Sequence, residues 1–457
     1  MRVSTRRLQF VAALCSLSLS LAVAATGRAD EEGSPQSEAY WPQWRGPLGT
    51  GVAPKGDPPI EWSEQKNVRW KKQIEGQGHS TPVIWGDRIF ATTAIPYGEA
   101  MEPRYSDAPG AHDNLPVTHR HKFAVMAIDR TTGETVWQRT VRDELPHEAG
   151  HYTASLASNS PVTDGEHVFA HFGSHGLYCL DFDGKIVWQA EWGPMQSKHG
   201  HGEGSSPALF GDTLIINWDH EGESFVVALD SANGHERWKV PRDEVTSWAT
   251  PIVVEQEGVA QVVVCGTDRV RGYDLASGRV IWECGGLSAN IVATPVAADG
   301  VLFAASSYDT RAMLAIRLQD ARGDVTETGH VLWSRTHRTP YVPSPLLLGD
   351  SLYFLRHYQG ILSRVDKRTG TDTHGPFRLA GIRNVYASPV AVLGQGESPA
   401  RVYVTDLNGT TLVISHEDQP RVLGQNRLED GFSASAAIAG REIYLRGDES
   451  LYCIAAD

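Results

Sequence analysis

The sequence predicts an all-β fold: an eight-bladed β-propeller of four-stranded antiparallel blades, the last blade completed by an N-terminal strand. Three observations predict it. A short apolar run opening in Ser-Pro or Thr-Pro recurs at Thr81-Pro82, Ser160-Pro161, Ser206-Pro207, Thr250-Pro251, Thr294-Pro295, Ser344-Pro345 and Ser388-Pro389, with a degenerate eighth at Ser435-Ala436. A glycine precedes a tryptophan by four residues at Gly133 and Trp137, Gly184 and Trp188, Gly234 and Trp238, Gly278 and Trp282, and Gly329 and Trp333. Beyond the longer first unit the period is roughly 44 to 50 residues, with only strand-like segments inside it, which is the signature of a propeller.

Residues 1–29 read as an export signal. Arg2, Arg6 and Arg7 precede an apolar stretch from Phe10 to Ala25, and Gly27 and Ala29 suit a cleavage site. The stretch is too short to count as a membrane span, and the chain is expected in the periplasm or cell envelope after its removal, as a monomer. Removing the signal takes away four arginines and no acids, moving the formal charge from −14 to −18. A surface this acidic repels phosphate backbones, which excludes nucleic acid as a partner class. Residues 30–66 follow as a Trp- and Pro-rich arm, with 40–47 and 58–62 expected to lie over one face of the ring.

The propeller itself spans 67–457. The third unit shows the blade plan. Pro207 to Phe210 opens a strand, Gly211-Asp212 turns, Thr213 to Trp218 returns, Ser224 to Leu229 forms a third strand, and His235 to Val240 a fourth. Proline fits the first position of an inner strand, where its missing donor does least harm. Glycine in the last turn takes a left-handed backbone, and the tryptophan after it fills the wedge that widens away from the axis. The five tryptophans are therefore structural.

The first unit carries an insertion from about Thr92 to Lys122, expected to be a long exposed loop or lid. The fifth has a smaller expansion from Gln319 to Gly329. Units six and seven lack the tryptophan, since Gly370 is followed by His374 and Gly409 by Val413. The last unit stops after Leu451 to Ile454 without an outer strand, and Asn67 to Lys72, with its Trp70, has the pattern of the missing one. Cys179, Cys265, Cys284 and Cys453 read as buried free thiols. Cys179 and Cys453 occupy matching contexts in different units, and Cys265 and Cys284 should lie on strands separated by a third.

The segment Ala127-Ile128-Asp129-Arg130-Thr131-Thr132-Gly133-Glu134-Thr135-Val136-Trp137 resembles the tryptophan-docking repeat of the pyrroloquinoline-quinone-type propeller family at every defining place. Ala228 to Trp238 and Tyr273 to Trp282 match nearly as well. The resemblance implies the architecture over about 67–457, and compact exported bacterial members look most similar. It implies two functional classes. One is the quinone-dependent alcohol and sugar dehydrogenases, which carry an adjacent cysteine pair over the quinone and a calcium held by Glu, Asn and Asp. The other is propellers without quinone, such as the lipoprotein of the outer-membrane barrel-assembly machine. The chain has no Cys-Cys, so quinone is not expected.

Chemistry is expected on the loops between blades and between second and third strands. The densest element is Lys198-His199-Gly200-His201-Gly202-Glu203. Two histidines and a glutamate at alternate positions point to one side if extended, so His199, His201 and Glu203, with His220 from the next loop, are the candidate ligands for a divalent metal. His151, His175 and Trp218 join them as ligand candidates in the sector of blades one to three. Tyr308, Arg356, His357, Arg383 and Asn384 suggest a second cluster that could clamp a carboxylate or stack on a sugar or peptide. The reading that follows is a non-catalytic binding or scaffold protein taking a protein or surface glycan. The alternatives are a quinone- and calcium-dependent oxidoreductase and a metal-dependent enzyme on the histidine sector.

Overall fold

The computed structural model describes Met1 and residues 37–356, 359–394, 396 and 398–456. The export-signal segment, Met1 apart, and His357 lie outside the described residues. Eight antiparallel sheets close into a ring, with each blade's strands in sequence order from the axis outward. Blade one is Val83–Trp85, Arg88–Tyr97, Arg120–Asp129 and Thr135–Glu144; blade three is Ala208–Phe210, Thr213–Trp218, Phe225–Asp230 and Glu236–Pro241. Blade eight takes its outer strand from the N-terminal side: Val68–Gln73 pairs antiparallel with Ser450–Ala455. The last blade is thus completed as its truncation predicts.

The repeated hydroxyl has a function the period alone does not reveal. Each one accepts the backbone N–H of its counterpart in the preceding blade. Thr81 donates to Ser160, Ser160 to Ser206, Ser206 to Thr250, Thr250 to Thr294, Thr294 to Ser344, Ser344 to Ser388, and Ser388 to Ser435, all at 2.9–3.1 Å. These are buried positions around the axis. The proline that follows has no N–H, so the hydroxyl residue's own amide is the one that needs a partner. The relay breaks only at the seam between blades eight and one, where the buried Oγ1 of Thr81 has no hydrogen-bond partner. There Arg130 of blade one reaches across instead, to Glu442 at 2.6 Å, Tyr444 at 3.1 Å and the Ala439 carbonyl at 2.9 Å.

Glycine and tryptophan of one repeat serve different neighbours. Trp70, Trp137, Trp188, Trp238 and Trp333 each donate Nε1–H to a carbonyl in the next blade, those of Arg130, Phe182, Ser231, Leu275 and Lys367. Each ring lies on that blade's glycine, so that a Cβ on Gly133, Gly184, Gly234, Gly278 or Gly370 would come within 2.6–2.7 Å of it. Blade six therefore keeps Gly370 without a tryptophan of its own, because Gly370 receives Trp333. Gly409 is not an equivalent position: it lies between the second and third strands of blade seven, Arg401–Thr405 and Thr410–Ser415.

Trp282 departs from the pattern. Its Nε1–H turns back to Gln261 of its own blade at 2.8 Å, and no atom lies near a Cβ placed on Gly329. The fifth-unit expansion covers this place by adding Gly323–Asp324 as a parallel fifth strand beside Trp282 and Glu283. In blade one, the segment expected as loop from residue 92 is partly strand. Thr92–Tyr97 pairs with Arg120–Val125, leaving 98–119 as the loop. That loop is tied down, since Asn114–Leu115 pairs with Gly150–His151.

The arm does more than cover a face. Trp41 pairs with Ile84 of blade one, the Asp57 amide donates to Gly440 of blade eight, and Val52–Ala53 adds a parallel strand inside blade seven. Trp44 reaches Thr294 of blade five at 3.0 Å. Arg45, fully buried, donates to the carbonyls of Pro345 and Pro389 at 2.9 Å each. Its guanidinium thus closes the axis from the arm's side, and burial pushes its pKa down to about 9. All four cysteines of the propeller are buried and free. Cys265 and Cys284 lie on the strands flanking Val270–Asp274. Among the described residues no helix is long and apolar enough to cross a membrane.

Candidate functional site

Alternating strand direction puts the first-to-second and third-to-fourth turns of every blade on one face, and the second-to-third loops and blade connections on the other. The arm meets the first face at Ile84 and Gly440. The second face carries three features, all in the sector of blades one to three and the closing blade.

The innermost is a slot lined by Asn159, His171, Glu203, Asn217, Asp219 and Trp248, with a volume of about 10 Å³, the room of one water. Asp219 is spent structurally: it accepts from Nε and Nη2 of Arg242 at 2.7 and 3.0 Å and from the Ser247 hydroxyl at 2.7 Å. His171 is buried with Nδ1 3.1 Å from Asn159 Nδ2 and Nε2 without a hydrogen-bond partner. Burial pushes it down to about 4, so the ring is neutral at pH 7. A tricyclic quinone does not fit this slot. The cysteines stand singly, and burial pushes Cys284 up to about 11 and Cys179, Cys265 and Cys453 up to about 12.

The second feature is a cleft of about 680 Å³ beneath the blade-one loop. Its walls are that loop at Leu115 and Pro116, the blade one-to-two connection at Leu156, the strand end at Ile95, and the acids Glu75 and Glu449. Both acids and Leu115 are exposed. The cleft exists because the second and third strands of blade one run ten residues each, lifting the loop above the ring.

The third is a group of histidines. His199 and His201 come together as expected, with ring centroids 5.4 Å apart. His151 joins them, 4.9 Å from His201. So does His112 of the blade-one loop, 5.1 Å from His199 and 4.8 Å from His201. Sequence reasoning missed His112; the clustering of histidines within the insertion was the available signal. Burial and the three neighbouring rings push His201 down to about 4, and burial also lowers His151.

The other candidates are placed elsewhere. Glu203 accepts from the Ser174 amide at 2.7 Å and the Ser174 hydroxyl at 2.5 Å. His220 holds the Gln196 and Gly222 amides through Nδ1 at 3.1 and 3.3 Å. His175 is buried, hydrogen-bonded to Glu144 and stacked on Phe123 at 4.1 Å; that bond, with Arg142 beside it, holds Glu144 down to about 2. Trp218 is core, stacked on Phe225 at 5.7 Å. Across the ring, Tyr308 is 43% exposed and stacks on Tyr341, with Lys198 Nζ 5.9 Å from its ring centre. Arg356 bridges Pro340 through its backbone, and Arg383 and Asn384 are exposed on the blade six-to-seven connection. No hydrogen bond or ring contact joins Tyr308, Arg356, Arg383 and Asn384 to one another among the described residues.

Comparison with known proteins agrees with the tryptophan docking. The family model described as outer membrane protein assembly factor BamB matches residues 121–375 and again 222–457. The chain belongs to this PQQ-type propeller family. No match is found among curated proteins. Among solved structures, the chain is similar to BamB from Moraxella catarrhalis, with 13% identity, 80% of this chain and 97% of that one covered, and a TM-score of 0.51. It is similar to a europium-containing methanol dehydrogenase at 11% identity, covering 81% and 90%, with a TM-score of 0.50. A quinohemoprotein alcohol dehydrogenase from Pseudomonas putida HK5 gives 11%, 85% and 77%, and 0.50. At such identities these likenesses concern the fold.

Proposed function

We propose that this protein is an exported binding protein of the cell envelope that holds an extended segment of a partner polypeptide in the cleft beneath the blade-one loop. The observation that carries this is the cleft itself: about 680 Å³, with Ile74, Ile95, Leu115 and Leu156 and the carboxylates of Glu75, Asp448 and Glu449 in its mixed apolar and polar lining. That volume is within the range of ligand sites, and exposed acids favour a cationic partner and speed its encounter. The chain as a whole is acidic as well, with a formal net charge of −14 at pH 7. The family description names an assembly factor of the outer membrane, which supports an envelope location and a protein partner. An oxidoreductase reading rests on fold likeness alone, and fold does not fix chemistry.

Fluorescence anisotropy with short extended peptides tests the reading. A peptide alternating leucine and lysine should bind, weaken as salt rises, and lose affinity to a Leu115→Ser variant; its glutamate counterpart should not bind. If neither peptide binds while an envelope oligosaccharide does, the polypeptide reading is wrong.

A further inference from the structure

The histidine group has the dimensions of a metal site that the sequence spacing does not contain. Three imidazoles bound through Nε2 to one tetrahedral ion at about 2.05 Å have ring centroids about 5 Å apart. His112, His199 and His201 form a triangle with sides of 4.8, 5.1 and 5.4 Å.

Their remaining contacts suit that role. Nδ1 of His112 is 2.8 Å from the Gly110 carbonyl and Nδ1 of His199 is 3.1 Å from the Pro109 carbonyl. A proton donated from Nδ1 leaves the lone pair on Nε2, the tautomer and orientation that outer partners impose on metal-binding histidines. His201 packs against His112 with ring centroids 4.8 Å apart, and its Nε2 is buried without a hydrogen-bond partner. Such an orphaned ring nitrogen calls for an explanation. Polar loop histidines bonded to carbonyls would account for His112 and His199 but not for it.

The backbone is constrained at the same place. His199 has φ +58° and Asp113, beside His112, has φ +56°, left-handed values that non-glycine residues adopt only against steric strain. Gly110 has φ +72°, and a Cβ there would come within 2.9 Å of His199 Nδ1. The two strained turns bring rings from residues 112 and 199 into contact. As the rings stand, their donors do not meet at one point, and among the described residues no group of three or more ligand side chains is already arranged to hold an ion. His112 is the exposed member of the three and lies on a loop, so binding an ion would require a change in its ring orientation.

We propose that His112, His199 and His201 bind one divalent transition-metal ion of the zinc type through Nε2, leaving one coordination position open, with His151 next to His201. An all-imidazole set favours zinc, copper, nickel or cobalt over calcium or magnesium. Neither Glu203 nor His220 belongs to the set, so the spacing of the Lys198-to-Glu203 element supplies only two ligands.

The test uses the chain from residue 30 without a histidine tag. Cobalt titration should give the visible absorption of a tetrahedral ion at one equivalent, displaced by zinc, and native mass spectrometry should show one zinc per chain. His112→Gln lies on an exposed loop and should leave the melt unchanged while weakening zinc at least about tenfold, the least that loss of a direct ligand should cost. His199→Gln should do the same, and His220→Gln should leave affinity unchanged. Less than stoichiometric zinc on the folded chain overturns the proposal. So does stoichiometric zinc that survives the combined His112→Gln and His199→Gln changes.

Discussion

Replacing Ser206 with alanine removes one link of the hydroxyl relay and nothing else. Its Oγ accepts the Ser160 N–H at 2.9 Å, and both residues are buried. Alanine leaves that N–H enclosed with nothing to bond, an orphan that costs about 1–3 kcal/mol. Thr81 is the control supplied by the molecule, since it occupies the same place in blade one and its buried Oγ1 bonds nothing. Thr81→Val keeps the shape and deletes only the idle hydroxyl, so its effect should fall within about 0.5 kcal/mol of zero. At about 2.1 cal/mol/K per residue, the roughly 420 residues from 37 to 456 unfold with about 0.9 kcal/mol/K, so Ser206→Ala should lower Tm by roughly 1–3 °C. Thr81→Val should move Tm by less than about 0.6 °C on the same conversion. Scanning calorimetry of both variants beside the unaltered chain resolves the difference. Equal losses from the two, or none from Ser206→Ala, would refute the relay as a source of stability.

Two further outcomes follow from the closure and from burial. Deleting residues 60–72 removes the partner of Ser450–Ala455 and the Trp70 ring docked on Gly133. The deletion also removes Trp62, a buried tryptophan whose truncation alone costs about 3–5 kcal/mol, so the melt should fall sharply, and an unchanged melt would contradict closure by this strand. The second concerns pH. The folded His171 ring is held to about 4, below the ordinary histidine value, so the unfolded chain binds the proton first. Its contribution is therefore present above pH 6.5 and is lost as pH falls toward 4, by on the order of 3 kcal/mol. Denaturation between pH 7 and 4 should show His171→Gln flattening that slope; an identical slope would mean that another group carries it.

The fold was legible because its determinants repeat. The hydroxyl-proline openings and the glycine-tryptophan pairs set eight units, and the truncated last unit with the Trp70 segment set the closure. What misled was register within a unit. Gly409 looks like the glycine of a last turn because Val413 follows at the right spacing, yet it turns between the second and third strands. The insertion at residue 92 looks like loop because its composition is polar, yet pairing with Arg120–Val125 keeps its first six residues in a strand. The histidine sector was legible as a region, but not as a set of partners. Glu203 and His220 look like ligands in sequence, and each proves occupied with nearby amides and hydroxyls.

The sequence by itself determined the number of blades, the strand order and the closing segment, because these depend on local pattern repeated along the chain. Only the tertiary structure decided which residues meet across blades. A tryptophan docks on the glycine of the following repeat rather than its own, and a hydroxyl serves the preceding blade's amide. His112 meets His199 and His201 although 87 residues separate it from the nearer one. Ring closure is the physical reason: it fixes distances between loops through the rigid blades beneath them, and those distances have no counterpart in the spacing of residues along the chain.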